Sequence, residues 1–124
     1  MNQNDGLVDL KTRTMAFAVR IVRLYAALPK ETAAQGIGKQ LLRSGTSVGA
    51  HYREGMRARS TAEFVSKIEG GLQELEETDY WVELLVQADI LPEDRLAPLR
   101  DEINELTAIL VTCSKNAKQK NQKR

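Results

Sequence analysis

The sequence predicts an all-α protein, an antiparallel up-down four-helix bundle. Apolar residues recur at spacings of three and four instead of two, and β-branched runs of strand length are absent. Four such periodic segments are separated by short breaks that hold proline, glycine or a capping residue. The chain has 124 residues, 42% of them hydrophobic and 28% charged. That suits one folded domain, neither a disordered chain nor two independent cores. Residues 1–118 are assigned to the bundle and 119–124 to a flexible basic tail.

The first helix is expected from about Val8 to Leu28, with Leu10, Thr14, Phe17, Ile21, Leu24 and Leu28 on one stripe and Pro29 as its stop. The second is expected from about Ile37 to Ala58, despite Gly45, Gly49 and Gly55. At about 100° per residue, Lys39, Arg43, Thr46, Ala50, Arg53 and Arg57 fall within about 40° of one line, opposite Ile37, Leu41, Val48, Tyr52 and Met56. A loop rarely separates charge from apolarity in this way. Each helical glycine costs about 1 kcal/mol relative to alanine, so the glycines need a reason. Close approach of a second backbone is favoured over a phosphate cradle, because neither a P-loop nor a dinucleotide-binding glycine motif is present.

The third helix has a capping-box start at Ser60-Thr61-Ala62-Glu63 and should run to about Ala88. Val65, Ile68, Leu72, Leu75, Val82 and Val86 make its apolar stripe, and Gly70-Gly71 marks a close helix approach. The fourth carries Leu96, Leu99, Ile103, Leu106, Leu110 and Cys113 at coiled-coil spacing, with Pro98 at a first-turn position. The final "KNAKQKNQKR" loses periodicity and is expected to fray.

Charge is segregated along the chain. Residues 1–59 carry a net +6, residues 60–105 a net −10 and residues 106–124 a net +5. Such asymmetry bears on partners and assembly. The stripe Lys39, Arg43, Arg53 and Arg57, extended by Arg59, is a candidate nucleic-acid contact through phosphate charge; its alternative is a solvated face paired with a neighbour's acids. Aromatic residues make up 5% of the chain and none interleaves the stripe, which argues against base stacking. Glu69, Glu76 and Glu83 recur every seven residues beside the apolar stripe of the third helix, as candidates for an oligomer interface or for pairing with another helix.

Several function classes lose support. Cys113 is the single cysteine and His51 the single histidine, so no internal disulfide or Cys/His zinc site forms. No Glu-x-x-His pair exists for a bundle di-metal site, and nothing assembles a nucleophile, base and oxyanion site. His51 reads as a boundary residue. No cofactor, metal or small-molecule substrate is expected, and the chain reads as a non-enzyme. No apolar run approaches a membrane span and no signal pattern opens the sequence, so a cytoplasmic location is expected.

"LLRSGTSVGAHYREG", followed by the Ser60-x-x-Glu63-Phe64 start and "GGLQELEETDYWVELL", resembles the four-helix-bundle family of the 23S ribosomal RNA intervening sequences. His51-Tyr52-Arg53-Glu54-Gly55 stands where many relatives have N-I-A-E-G, which marks a divergent branch. The family is similar in fold to the accessory variability protein of diversity-generating retroelements, a pentameric barrel with a basic surface that binds nucleic acid. The resemblance implies a four-helix bundle, a homopentamer and, by analogy, RNA or DNA binding without catalysis. A scaffold that docks protein and never binds nucleic acid is the alternative.

Overall fold

A computed structural model describes residues 9–122. Four helices account for most of them: α1 (Leu10–Ala27), α2 (Thr32–Met56), α3 (Thr61–Gln87) and α4 (Glu93–Gln122). There is no strand among the described residues. Val8, the expected start of the first helix, lies outside them. α1 opens on Asp9, whose Oδ1 accepts from the backbone N–H groups of Lys11 at 3.0 Å and Thr12 at 3.3 Å. Two of the donors that a helix start leaves free are thereby satisfied.

Contacts between helices fix the antiparallel order. Thr14 of α1 lies against Gly49 of α2 and Ile21 lies against Gly45, so the sequence runs up one helix and down the next. Ser44 of α2 bonds Thr78 of α3, while His51 packs on Gly70. Arg100 of α4 pairs with Asp79, and Ser114 reaches Glu69. Phe17, Ile21, Leu41, Val48, Ile68, Leu75, Val82, Leu85, Leu106 and Leu110 form the centre of the core.

Gly45 shows why α2 carries glycine inside a helix: an added Cβ would stand 2.6 Å from Ile21 Cγ1. Gly70 does the same between α2 and α3, where a Cβ would meet the His51 imidazole at 2.8 Å. Both helices continue unbroken through these positions.

Three boundaries differ from the expectation. α2 begins at Thr32 instead of Ile37. Ala34 is fully buried, and the Gln35 side chain links the Tyr25 hydroxyl at 3.0 Å to the Pro29 carbonyl at 2.9 Å. These anchors hold the first turn down. α4 begins at Glu93, five residues before Pro98, because buried Leu96 secures the turn and Glu93 and Asp94 suit a helix N-terminus. At its other end α4 continues to Gln122, through most of the segment expected to fray. α3 is long enough to support it there, with Lys118 Nζ 2.7 Å from Glu69 Oε2. Residues 123 and 124 lie outside the description.

The apolar stripes hold with small shifts. Leu85 and Thr78 of α3 are fully buried, while Val65, Leu72 and Val86 are half-buried. Met56, expected on the buried face of α2, is 61% exposed. Thr14 is level with Gly49, so Leu10, where α1 begins, stops about one turn short of Met56. The Ser60 cap forms, with Oγ accepting from Glu63 N at 3.0 Å. The return bond goes to Arg59 N at 3.1 Å, one residue earlier than the capping box expects.

Candidate nucleic-acid interface

The antiparallel order brings the N-termini of α1 and α3 and the C-termini of α2 and α4 to one end of the bundle. Lys11, Arg53, Arg57, Arg59, Lys115 and Lys120 gather there, and none of the six makes an ion pair among the described residues. Lys67 and Lys118 add charge but are engaged, by Glu54 at 3.0 Å and Glu69 at 2.7 Å. Hydrogen bonds from these lysines hold both carboxylates below their ordinary value.

The expected stripe on α2 is therefore divided. Arg53 and Arg57 line a shallow pocket of about 300 Å³ with Asp9, Lys11, Tyr52 and Met56. Arg59 borders a second hollow of about 470 Å³ that Lys120 of α4 also lines. Lys39 is exposed but sits about 21 Å along α2 from Arg53, toward the opposite end. Arg43 is committed within the chain: Nη2 donates to Glu77 and Nη1 reaches Glu74 at 3.5 Å. The hydrogen bond to Glu77 is the main cause of its raised pKa, and Glu77 in turn titrates below its ordinary value.

Two of the three acids placed at heptad spacing on α3 also find partners in α4. Glu69 takes Lys118, and Glu83 lies 3.8 Å from Arg100. Glu76 is exposed and unpaired among the described residues. His51 is a boundary residue; its Nε2 is 3.6 Å from Glu74 Oε2, and its buried Nδ1 has no hydrogen-bond partner. Burial raises the pKa of the Cys113 thiol and the Tyr52 hydroxyl, which leaves the thiol less reactive than a free cysteine.

Sequence reasoning missed Lys11 as a member of the basic end, and gave Lys115 and Lys120 only as part of a basic tail that could assist binding. They are distant in the chain and meet only through topology. The signal available was the expected up-down order, which alone puts the start of the first helix beside the end of the second and fourth.

The chain matches the sequence profile of the 23S rRNA-intervening sequence proteins over residues 8–112. The chain belongs to that family. A crystal structure of a protein of unknown function from the S23 ribosomal protein family of Bacteroides thetaiotaomicron is similar at 38% identity. The match covers 85% of this chain and 94% of that one, with a TM-score of 0.80. None of the curated proteins matches. In this member of the intervening-sequence family, no group of three or more His, Cys, Asp or Glu residues is placed to hold a metal among the described residues. No described helix is long and apolar enough to cross a membrane.

Proposed function

We propose that this chain is a non-catalytic, oligomeric accessory protein that binds RNA or DNA through phosphate contacts at its basic end. The observation that supports it is the set of six cations, without ion pairs among the described residues, brought to one end of the bundle by α1, α2, α4 and the α2–α3 connection. Of the residues expected from sequence, Arg53, Arg57 and Arg59 belong to this set. Arginine forks suit phosphate oxygens, and release of condensed counterions supplies affinity without reading sequence. A family resemblance supplies five as the number of copies, and repetition turns a weak patch into an avid one. The bundle acts in the cytoplasm and needs no cofactor.

A gel-retardation series with short RNA and DNA tests the reading. Affinity should fall tenfold or more between about 50 and 200 mM salt. The double substitution Arg53→Glu, Arg57→Glu should remove the shift while particle size stays the same. Absence of any salt-sensitive shift at micromolar protein overturns the proposal. The second reading, a docking scaffold that never binds nucleic acid, then takes its place. It draws on the exposed apolar side chains Met15, Val19 and Val22 of α1.

A further inference from the structure

In the seam between α1 and α4, toward the end opposite the basic one, lies a hollow of about 300 Å³. Leu24, Leu96 and Leu99 form its apolar floor, and Arg20, Arg23 and Arg95 surround it. Leu96 and Leu99 are buried, whereas the three arginines are exposed. None of the three makes an ion pair among the described residues. Glu93 and Asp94 precede Arg95 in the first turn of α4 without engaging it.

The register across this seam is fixed by Arg13 and Glu102, whose guanidinium and carboxylate meet at 2.8 Å. Because α1 and α4 run antiparallel, seven residues onward in α1 and seven back in α4 reach one height, about 10 Å away. That step carries Arg13 to Arg20 and Glu102 to Arg95. An attractive pair at one level is followed by a like-charged pair at the next, with Arg23 about a turn beyond Arg20. An arginine stem often shelters a leucine at a helix seam, which accounts for one arginine here. Three of them, two level with each other across the seam, leave a positive charge unanswered over an apolar floor.

We infer that this hollow binds an acidic segment of a partner protein. One apolar side chain of the segment lies over Leu96 and Leu99, and carboxylates before and after it meet Arg20, Arg23 and Arg95. Arginine clusters recognise acidic motifs through paired N–H donors, and an apolar anchor between the charges fixes the register. A phosphate backbone answers the charge but has no aliphatic side chain for the leucine floor. No aromatic residue lines the hollow to stack a base. The hollow is also shallow and open to solvent, so it cannot enclose a free small molecule as a ligand pocket does. A chain held on both sides of its anchor does not need enclosure. The hollow shares no residue with the basic end, and the inference rests on neither reading of the proposed function.

An empty seat of this kind costs stability, because Arg20 and Arg95 repel each other until an anion arrives. Arg20→Glu turns the repulsion into attraction. It should raise the melting temperature of the free chain by about 1–3 °C, and the rise should be smaller in an Arg95→Ala background. A melting temperature that falls, or a rise that ignores Arg95, shows that the two arginines do not oppose each other and overturns the inference.

Fluorescence anisotropy with a fluorescein-labelled peptide, in which two glutamates stand on each side of one leucine, tests the occupant. The peptide should bind saturably. Arg20→Glu, Arg95→Glu and the exchange of the peptide's leucine for serine should each weaken binding about tenfold or more. Lys39→Glu, the same charge change on α2, should leave it within about twofold. No saturable binding at millimolar peptide, or equal loss in Lys39→Glu, overturns the inference. Displacement of the peptide by a short RNA assigns the hollow to nucleic acid instead, and octanoate binding as tightly as the peptide assigns it to a free small anion. A change of particle size in Arg20→Glu by light scattering shows that a second copy already covers the hollow. Each of these three results also overturns the inference.

Discussion

The guanidinium of Arg13 in α1 donates from Nε and Nη2 to the two carboxylate oxygens of Glu102 in α4, both at 2.8 Å. Nη2 also reaches Glu105 at 2.6 Å. Both Arg13 and Glu102 side chains are mostly buried, at 22% and 18% exposure, and the Glu102 bond raises the arginine's pKa. This fork ties the first helix to the last, whereas the other neighbours are consecutive in the chain.

Removing the fork leaves Glu102 half-buried and without its partner. Arg13→Ala should lower unfolding stability by about 1–3 kcal/mol, mostly as the penalty of that orphaned carboxylate. Urea unfolding measures it. A loss under about 0.5 kcal/mol would show that water replaces the guanidinium freely and that the pair behaves as a surface contact.

A second polar tie lies inside the core, where Ser44 Oγ and Thr78 Oγ1 are 2.8 Å apart and both residues are fully buried. Thr78→Val removes one partner and strands the Ser44 hydroxyl, whose remaining bond to the Leu41 carbonyl is long at 3.4 Å. The cost should be about 1–2 kcal/mol. Adding Ser44→Ala removes the stranded group, so the double variant should be more stable than Thr78→Val alone. Strict additivity in the double-mutant cycle would deny the coupling.

Gly45 predicts the opposite kind of failure. An added methyl 2.6 Å from Ile21 Cγ1 forces α1 and α2 apart or Ile21 off its rotamer, costing about 1–3 kcal/mol. Gly36 has open space around its Cβ direction, and Gly36→Ala should stabilise by about 0.5–1 kcal/mol through helix propensity. Thermal melts of the two variants should therefore move in opposite directions. Equal shifts would show that the close approach at Gly45 is not a packing constraint.

Much of the fold was legible because it depends on local pattern. Ser60 marks a helix start through its own hydroxyl, and the Leu96–Leu110 seam declares one buried face whatever it packs against. The site was less legible because a helical wheel gives direction without a neighbour. Arg43 lies on the same line as Arg53, yet α3 presents Glu74 and Glu77 to one of them and nothing to the other. Lys115 and Lys120 looked like part of a frayed tail, since nothing local to the sequence shows that α3 is long enough to carry them. The apolar stripe Met15, Val19 and Val22 was hidden because α1 is apolar on more than one face, and only packing shows which face is spare.

Acid should loosen the bundle before it affects anything else. Glu69 and Glu77 titrate below their ordinary value of 4.5, through hydrogen bonds to Lys118 and Arg43 respectively. A carboxylate whose folded pKa is lowered adds stability above its unfolded pKa and loses it as pH falls through the folded one. Melting temperature should therefore hold from about pH 7 to about pH 5 and decline below about 4.5. A melting temperature unchanged down to about pH 3 would show that these pairs contribute nothing.

Lys39 and Arg59 separate the sequence-based stripe from the topological end. Both are exposed cations of the same segment, and a stripe along α2 would weigh them alike. The structure puts Lys39 toward the opposite end, about 21 Å along the helix from Arg53, and Arg59 in the hollow that the α2–α3 turn, the start of α3 and Lys120 of α4 line. Lys39→Glu should leave affinity for a short single-stranded RNA within about twofold. Arg59→Glu should lower it by about fivefold to tenfold at about 50 mM salt and flatten the salt dependence by about one phosphate contact. Fluorescence anisotropy on both variants decides the matter: if Lys39→Glu is the more damaging, nucleic acid lies along α2 and the basic end is not its seat.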